Sequence, residues 1–285
     1  MATMEQNLSK IDQEIDNLYT KKQVPHLVSA DKLNEVGAQN LMIGKKWNEK
    51  NTVFLAPGSV GKKQKYFDLR RIALGVTIAY QKIQDSAKIG EDILFVATKS
   101  PEVAAFVKEQ CNLNNCFYIT KRWLGGILTN FKTVKASITK LNKLIEMQET
   151  GEIKKYAKKE QAQLIRECNK LEAFIGGIKH MVKPPKLIVV VDSVIENIAV
   201  AEAKKINASI IALSNSDANA KGLDYNIPCN TKSKRTVWLI LSILFDAIAS
   251  VKGNPINVVG KKDSEIVCPF SKTSTQKSII ALKSK

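Results

Sequence analysis

The segment KRWLGGILTNFKT, residues 121–133, gathers two cations, an indole, a glycine pair and a Thr-Asn step. Lys121 and Arg122 suit phosphate oxygens, and Gly125 and Gly126 let a backbone approach a partner closely. Thr129 and Asn130 stand where a helix would begin, with N–H groups that favour anions. The same stretch suits packing equally well, since Trp123, Leu124 and Leu128 would root the following helix in a core. Spacing alone leaves both roles open.

Other chemistry is poorly served. No GxGxxG follows an apolar run, and GSVGKK at residues 58–63 lacks the spacing and the Ser/Thr of a phosphate-binding loop. The remaining polar groups at strand ends are Asp192 with Ser193 and the SNSD run at residues 214–217, whose residue types are equally those of turns and helix caps. His26 and His180 stand far apart, no GxSxG elbow occurs, and no carboxylate pair is set up for acid–base work. Cys111, Cys116, Cys168, Cys229 and Cys268 are odd in number and form no CxxC pair, which predicts reduced thiols, no metal and no cofactor.

The charge balance points elsewhere. Against 27 Asp and Glu stand 44 Lys and Arg, so the chain carries +17 and would repel itself without an anionic partner. Nucleic acid is the leading partner, although lysine-rich composition also marks proteins of AT-rich genomes. Apolar residues make up 44% and charged residues 25%, a balance that excludes disorder for the bulk of the chain. The apolar run at residues 238–249 is too short for a membrane span and contains Asp246. Near the N-terminus Glu5, Asp12, Glu14 and Asp16, with no apolar run, argue against a signal or transit peptide.

Apolar, β-branched runs at residues 93–97, 116–119, 187–191, 209–213 and from Tyr225 alternate with helical stretches near 67–86, 102–110, 195–206 and 232–250. This alternation predicts a parallel sheet covered by helices on both faces. Nearly seventy residues without a strand signal separate the second and third runs, too many for an ordinary crossover. Within them, Ile127, Phe131, Val134, Ile138, Leu141 and Ile145 form one seam, and Ala157, Leu164, Cys168, Leu171, Ile175 and Ile178 another. Steps of three and four predict an antiparallel coiled-coil hairpin, while two ordinary helices packed on the sheet are the alternative. Gly125–Gly126 enters the hairpin and Gly176–Gly177 leaves it. The predicted division is a polar tail at 1–26, an α/β core at 27–128 and 180–259, the hairpin at 129–179 and a flexible tail at 260–285.

Ordered motifs run through the chain: WN at 47–48, FDL at 67–69, ILFVATK at 93–99, RWLGGILTNFKT at 122–133, LEAFIGGIK ending at 179, AVAEA at 199–203 and IPCN at 227–230. Their identity and order closely resemble the bacterial-type small-subunit ribosomal protein two family, over about residues 27–259. The resemblance implies a flavodoxin-like, Rossmann-like α/β domain with a protruding coiled-coil hairpin, and a non-catalytic protein bound to small-subunit ribosomal RNA. It further implies contact with neighbouring ribosomal proteins, including the large messenger-binding protein one, and a place on the cytoplasmic ribosome. Two stretches depart from the family pattern. Gly37-Ala38-Gln39-Asn40 stands where a histidine-containing element is usual, and Thr231-Lys232-Ser233-Lys234-Arg235 replaces acidic residues.

The expected RNA contacts are Lys62, Lys63, Arg70, Arg71, Lys121, Arg122, Lys132, Lys234 and Arg235. Trp123, Leu124, Gly125, Gly126, Leu128, Gly176 and Gly177 are expected to anchor the hairpin. The rival readings are an α/β nucleotide-binding enzyme and a coiled-coil adaptor that binds only protein. Lysine- and asparagine-rich composition fits a small AT-rich bacterium of mollicute type.

Overall fold

A computed structural model describes residues 27–41, 48–56, 65–220 and 222–270. Lys62, Lys63, Trp47, the phosphate-loop-like run at 58–63 and most of both expected tails lie outside the described residues. The elements are α1 (Ala30–Glu35), α2 (Leu69–Lys88), β1 (Ile93–Val96), α3 (Pro101–Leu113), β2 (Phe117–Ile119), α4 (Phe131–Glu149) and α5 (Lys158–Ile175). They continue with β3 (Leu187–Val191), α6 (Asn197–Lys205), β4 (Ser209–Ser214), β5 (Tyr225–Pro228) and α7 (Lys234–Lys252).

The five strands lie in the order β2-β1-β3-β4-β5, and the pairings of β1 with β2, β1 with β3 and β4 with β5 are parallel. That order is the flavodoxin-like form of the doubly wound sheet. Every residue of β1 and β3 is buried, which is why those strands read as unbroken apolar runs. Helix starts follow local rules: Pro101 opens α3, Asp68 accepts the Arg70 N–H at 2.9 Å ahead of α2, and Ser233 accepts the Thr236 N–H ahead of α7.

By packing, the chain divides into two compact units. One comprises Met1–Ile89, Asp192–Val194 and Ile211–Lys285, and the other Gly90–Val191 and Ile195–Ile210. Helices α4 and α5 fall in the same unit as β1, β2, β3 and α6.

In the first unit, α7 packs against α2, and α2 against β5. Residues 236–249 of α7 are all buried, Asp246 among them at 0% exposure. The carboxylate is satisfied locally. It accepts hydrogen bonds from the Asn257 N–H at 2.7 Å, the Asn257 side-chain amide at 3.1 Å, the Val258 N–H at 2.7 Å and the Val259 N–H at 2.8 Å. Asp246 therefore ties the chain after α7 back onto the helix. No helix among the described residues is long and apolar enough to cross a membrane.

In the second unit α4 and α5 pack on one another, joined through a short 3-10 turn, Glu152–Lys155. At 1.5 Å per residue each arm is about 27 Å long. The buried positions of α4 are Ile138, Leu141, Leu144 and Met147. Ile145, expected in the seam, is only half-buried, and Ala157 is exposed ahead of α5. The actual contact line steps by three through Leu144 and Met147, so near the turn the first arm leaves the alternating three-and-four register of a supercoiled seam. On α5, Cys168 and Ile175 are buried, with Leu164 and Leu171 half-buried, as the spacing predicts.

The carboxylate of Asp246 yields a stability prediction. In Asp246→Asn, an NH2 group would face backbone donors, and each N–H left without an acceptor costs about 1–3 kcal/mol. The denaturant midpoint should fall substantially with the slope unchanged; an unaltered midpoint would contradict the role assigned to Asp246.

Candidate nucleic-acid interface

Beyond β2 the chain enters the 121–133 segment with Lys121 and Arg122 exposed and Trp123 buried at 6%. Ile127 and Leu128 are buried as well. Leu124 is 39% exposed, a correction to its expected part in the anchor. With Trp123 facing inward in a non-helical stretch, the next side chain faces outward.

A single side chain organises the segment. Glu202 of α6, 5% exposed, accepts on one oxygen from the Trp123 indole N–H at 3.0 Å and the Gly126 N–H at 2.7 Å. Its other oxygen accepts from the Leu128 N–H at 3.0 Å, and from the Thr129 N–H and hydroxyl at 3.2 Å each. Gly126 reaches its place with φ +92°, a left-handed conformation that strains any residue with a Cβ. Burial pushes the Glu202 carboxyl up, but the hydrogen bonds from Trp123, Gly126, Leu128 and Thr129 outweigh it and hold the group below its ordinary value.

This contact corrects the anion-binding expectation for Thr129 and Asn130. The N–H groups of Gly126, Leu128 and Thr129, just ahead of α4, already hold an anion, and it is the protein's own. The AVAEA motif by itself assigns Glu202 no role. The available signal was an acid at a core position: Ala199, Glu202 and Ala203 share one helical face, and all three are buried.

At the hairpin's exit, Gly177 allows a close approach. A Cβ there would stand 2.2 Å from the Tyr118 carbonyl oxygen and 2.5 Å from its ring, so only glycine lets this turn rest on β2. Gly125 meets no such restriction, and a Cβ on Gly176 would touch only the Glu172 side chain, at 3.0 Å.

The expected cations fare differently. Lys121, Arg122 and Lys132 are exposed in the second unit, where the Lys121 ammonium lies 6.0 Å from the centre of the Phe174 ring. Lys135 and Lys143, not anticipated, are also exposed, and with Lys132 they fall within about 80° around the axis of α4. Their spacing was the signal, visible once α4 is known to be helical.

In the first unit, Arg71 is only 6% exposed, with Nε 3.9 Å from Asp68, which removes it as a phosphate contact. Its position on α2 faces inward between Arg70 and Ile72, a placement that depends on helix phase rather than residue type. Arg70 pairs with Asp68 at 3.2 Å and Arg235 with Glu35 at 3.2 Å. Lys234 is exposed.

The two departing stretches meet in this unit. The Ser233 and Thr236 hydroxyls both donate to the Val36 carbonyl, and the Asn230 N–H donates to the Ala38 carbonyl at 2.9 Å. Thr231 is buried and donates to Asp192 at 2.8 Å. Of this stretch, Lys232 and Lys234 stand exposed.

The polar residues at strand ends are engaged with one another. Asp192, in the left-handed region at φ +73°, also accepts the Val194 N–H, the Ser193 and Ser214 hydroxyls lie 3.0 Å apart, and Asn215 accepts the Ser216 N–H. Glu196, buried after β3, accepts the Thr98 N–H at 2.9 Å. Among the described residues no group of three or more His, Cys, Asp and Glu could hold a metal ion.

A family model described as ribosomal protein S2 matches residues 33–251, which include the 121–133 segment and Glu202. The small ribosomal subunit protein uS2 of Ureaplasma urealyticum serovar 10 is 40% identical over 255 residues, covering 90% of this chain and 72% of the relative. That of Malacoplasma penetrans is 36% identical over 274 residues, 94% of this chain and 74% of the relative. That of Mycoplasma genitalium is 38% identical over 250 residues, 87% and 86%.

Because the folded-state pKa of Glu202 is depressed, its stabilisation is present above the unfolded value, about 4.3 for Glu. It is lost as pH falls through the folded value. Glu202→Gln should therefore be less stable than the parent at neutral pH, by about 1–3 kcal/mol for each N–H left without an acceptor. In melting curves recorded from pH 7 to 3, the gap between the two proteins should close at the acid end. A gap independent of pH would contradict the ionised carboxylate.

Proposed function

The chain belongs to the ribosomal protein S2 family, and we propose that it is held in the small subunit through phosphate contacts with ribosomal RNA made by Lys121, Arg122 and Lys132. Membership makes it a structural component of the small ribosomal subunit rather than an enzyme. The observation that carries the RNA reading is the Glu202 contact. It ties down the Trp123 side chain and the backbone at Gly126, Leu128 and Thr129, while Lys121 and Arg122 beside them stand in solvent, which limits the freedom those cations must lose on binding.

Lys135 and Lys143 extend the proposed surface along α4. Lys62, Lys63, Arg70, Lys234 and Arg235 form a second proposed group, in which Arg70 and Arg235 would exchange a carboxylate partner for phosphate. The net charge of +17 supports this reading. A-form RNA hides its major-groove base edges, so contacts of this kind read backbone and shape. In the same proposal residues 129–179 are a coiled-coil insertion in an α/β core of 27–128 and 180–259. Its exposed faces serve neighbouring ribosomal proteins, the large messenger-binding protein one among them.

Sedimentation with small subunits tests the reading. Arg122→Glu combined with Lys132→Glu should lower co-sedimentation and flatten its salt dependence, by a log–log slope of about 0.7–0.9 for each phosphate no longer neutralised. Thermal stability should stay within about 0.5 kcal/mol of the parent, as surface changes usually do. Trp123→Ala should instead cost about 3–5 kcal/mol. Unaltered co-sedimentation of the folded double variant would overturn the RNA role of this segment.

A further inference from the structure

The second unit holds a cavity of about 900 Å3 that the contacts above leave unused, formed by α3, the β2 segment and the chain from α5 to His180. Its lining brings the rings of Tyr118 and Phe174 together with Asn112, Asn169 and Thr120; Tyr118 faces the Gly177 turn, and Phe117, its neighbour on β2, points to the opposite face of the strand. Tyr118 and Phe174 are both half-buried residues. Lys108 and Lys179 also line it, together with the carboxylate of Glu172, and Lys121 borders it beside Phe174. The volume falls within the roughly 300–1,000 Å3 of sites that enclose small ligands.

Rings, amides and ammonium groups together match an unpaired nucleotide. Aromatic faces stack a base, amides and hydroxyls bond its edges, and lysines meet the phosphate. A duplex cannot use such a groove, because its bases are already stacked on one another. Tyr118 is held in place by Gly177, whose missing Cβ leaves room for that ring. Burial raises the Tyr118 pKa above its ordinary value.

We infer that this groove receives one or more unpaired nucleotides of an RNA strand, with Tyr118 and Phe174 stacking bases and Lys108, Lys121 and Lys179 meeting phosphates. The inference rests on the RNA-binding reading and adds to it a groove that shares Lys121 with that surface. A free nucleotide offers the same chemistry in the groove. A strand fits better, because Lys121 and Arg122 continue the positive charge beyond its walls.

The test uses the full-length protein in fluorescence anisotropy with a labelled, unstructured oligouridylate and a labelled blunt RNA duplex, and with uridine monophosphate as competitor. Phe174→Leu should weaken oligouridylate binding by about tenfold, toward the weaker end of what one stacked base supplies, and leave duplex binding unchanged. Phe174→Tyr should retain both. Ultraviolet cross-linking of oligouridylate to the parent protein should map to Tyr118 or Phe174, a readout that needs no variant to fold. Unchanged oligouridylate affinity in Phe174→Leu, or cross-links confined to other residues, would overturn the inference. Competition by the mononucleotide as effective as by the oligomer would overturn the strand as occupant. Loss of duplex binding in the parent protein would instead strike the broader RNA reading, so the two failures are distinguishable.

Discussion

Glu202 brings a buried carboxylate to the backbone of a turn that would otherwise have orphaned donors. Five hydrogen bonds converge on its two oxygens, from the Trp123 indole, three backbone N–H groups and the Thr129 hydroxyl. A carboxylate this buried persists only when such donors offset its desolvation. The turn in turn keeps its shape only while the acceptor is charged. The route out of β2, the start of α4 and the presentation of Lys121 and Arg122 all follow from that mutual dependence.

The first unit uses the same device. Asp246 lies wholly within an apolar helix, and the chain beyond α7 folds back to donate to it. Both acids look like candidates for chemistry when only burial is considered. Their partners are backbone amides of the chain they organise, which marks them as fasteners of irregular segments. Regular elements satisfy their own backbone, and segments such as 124–129 and 257–259 need side chains to do so.

The regular architecture was legible in the sequence because it depends on local pattern. The apolar runs became β1 to β5 within a residue or two, Pro101 opened its helix, and Trp123 and Leu128 are buried. Features set by distant contacts were hidden. Glu202 lies 76 positions from Gly126, and nothing near either residue shows that they meet. The burial of Arg71 beside accessible Arg70 depends on which face of α2 turns inward, and residue type cannot say. The apolar spacing of α5 matches its buried and half-buried positions, but at the end of α4 Leu144 and Met147 are buried in place of Ile145, next to a 3-10 turn whose Ile153 is also buried. Cations were the least legible of all, since a lysine or arginine declares its charge but not its exposure or its carboxylate partner.

Amide hydrogen exchange of the full-length protein tests the central claim most directly. If the Glu202 carboxylate pins the segment, the amides of Gly126, Leu128 and Thr129 should exchange only through openings as rare as those exposing the β1 and β3 strands, despite lying in a turn. Exchange of these three amides at the rate of an open loop, while β1 and β3 stay protected, would contradict it.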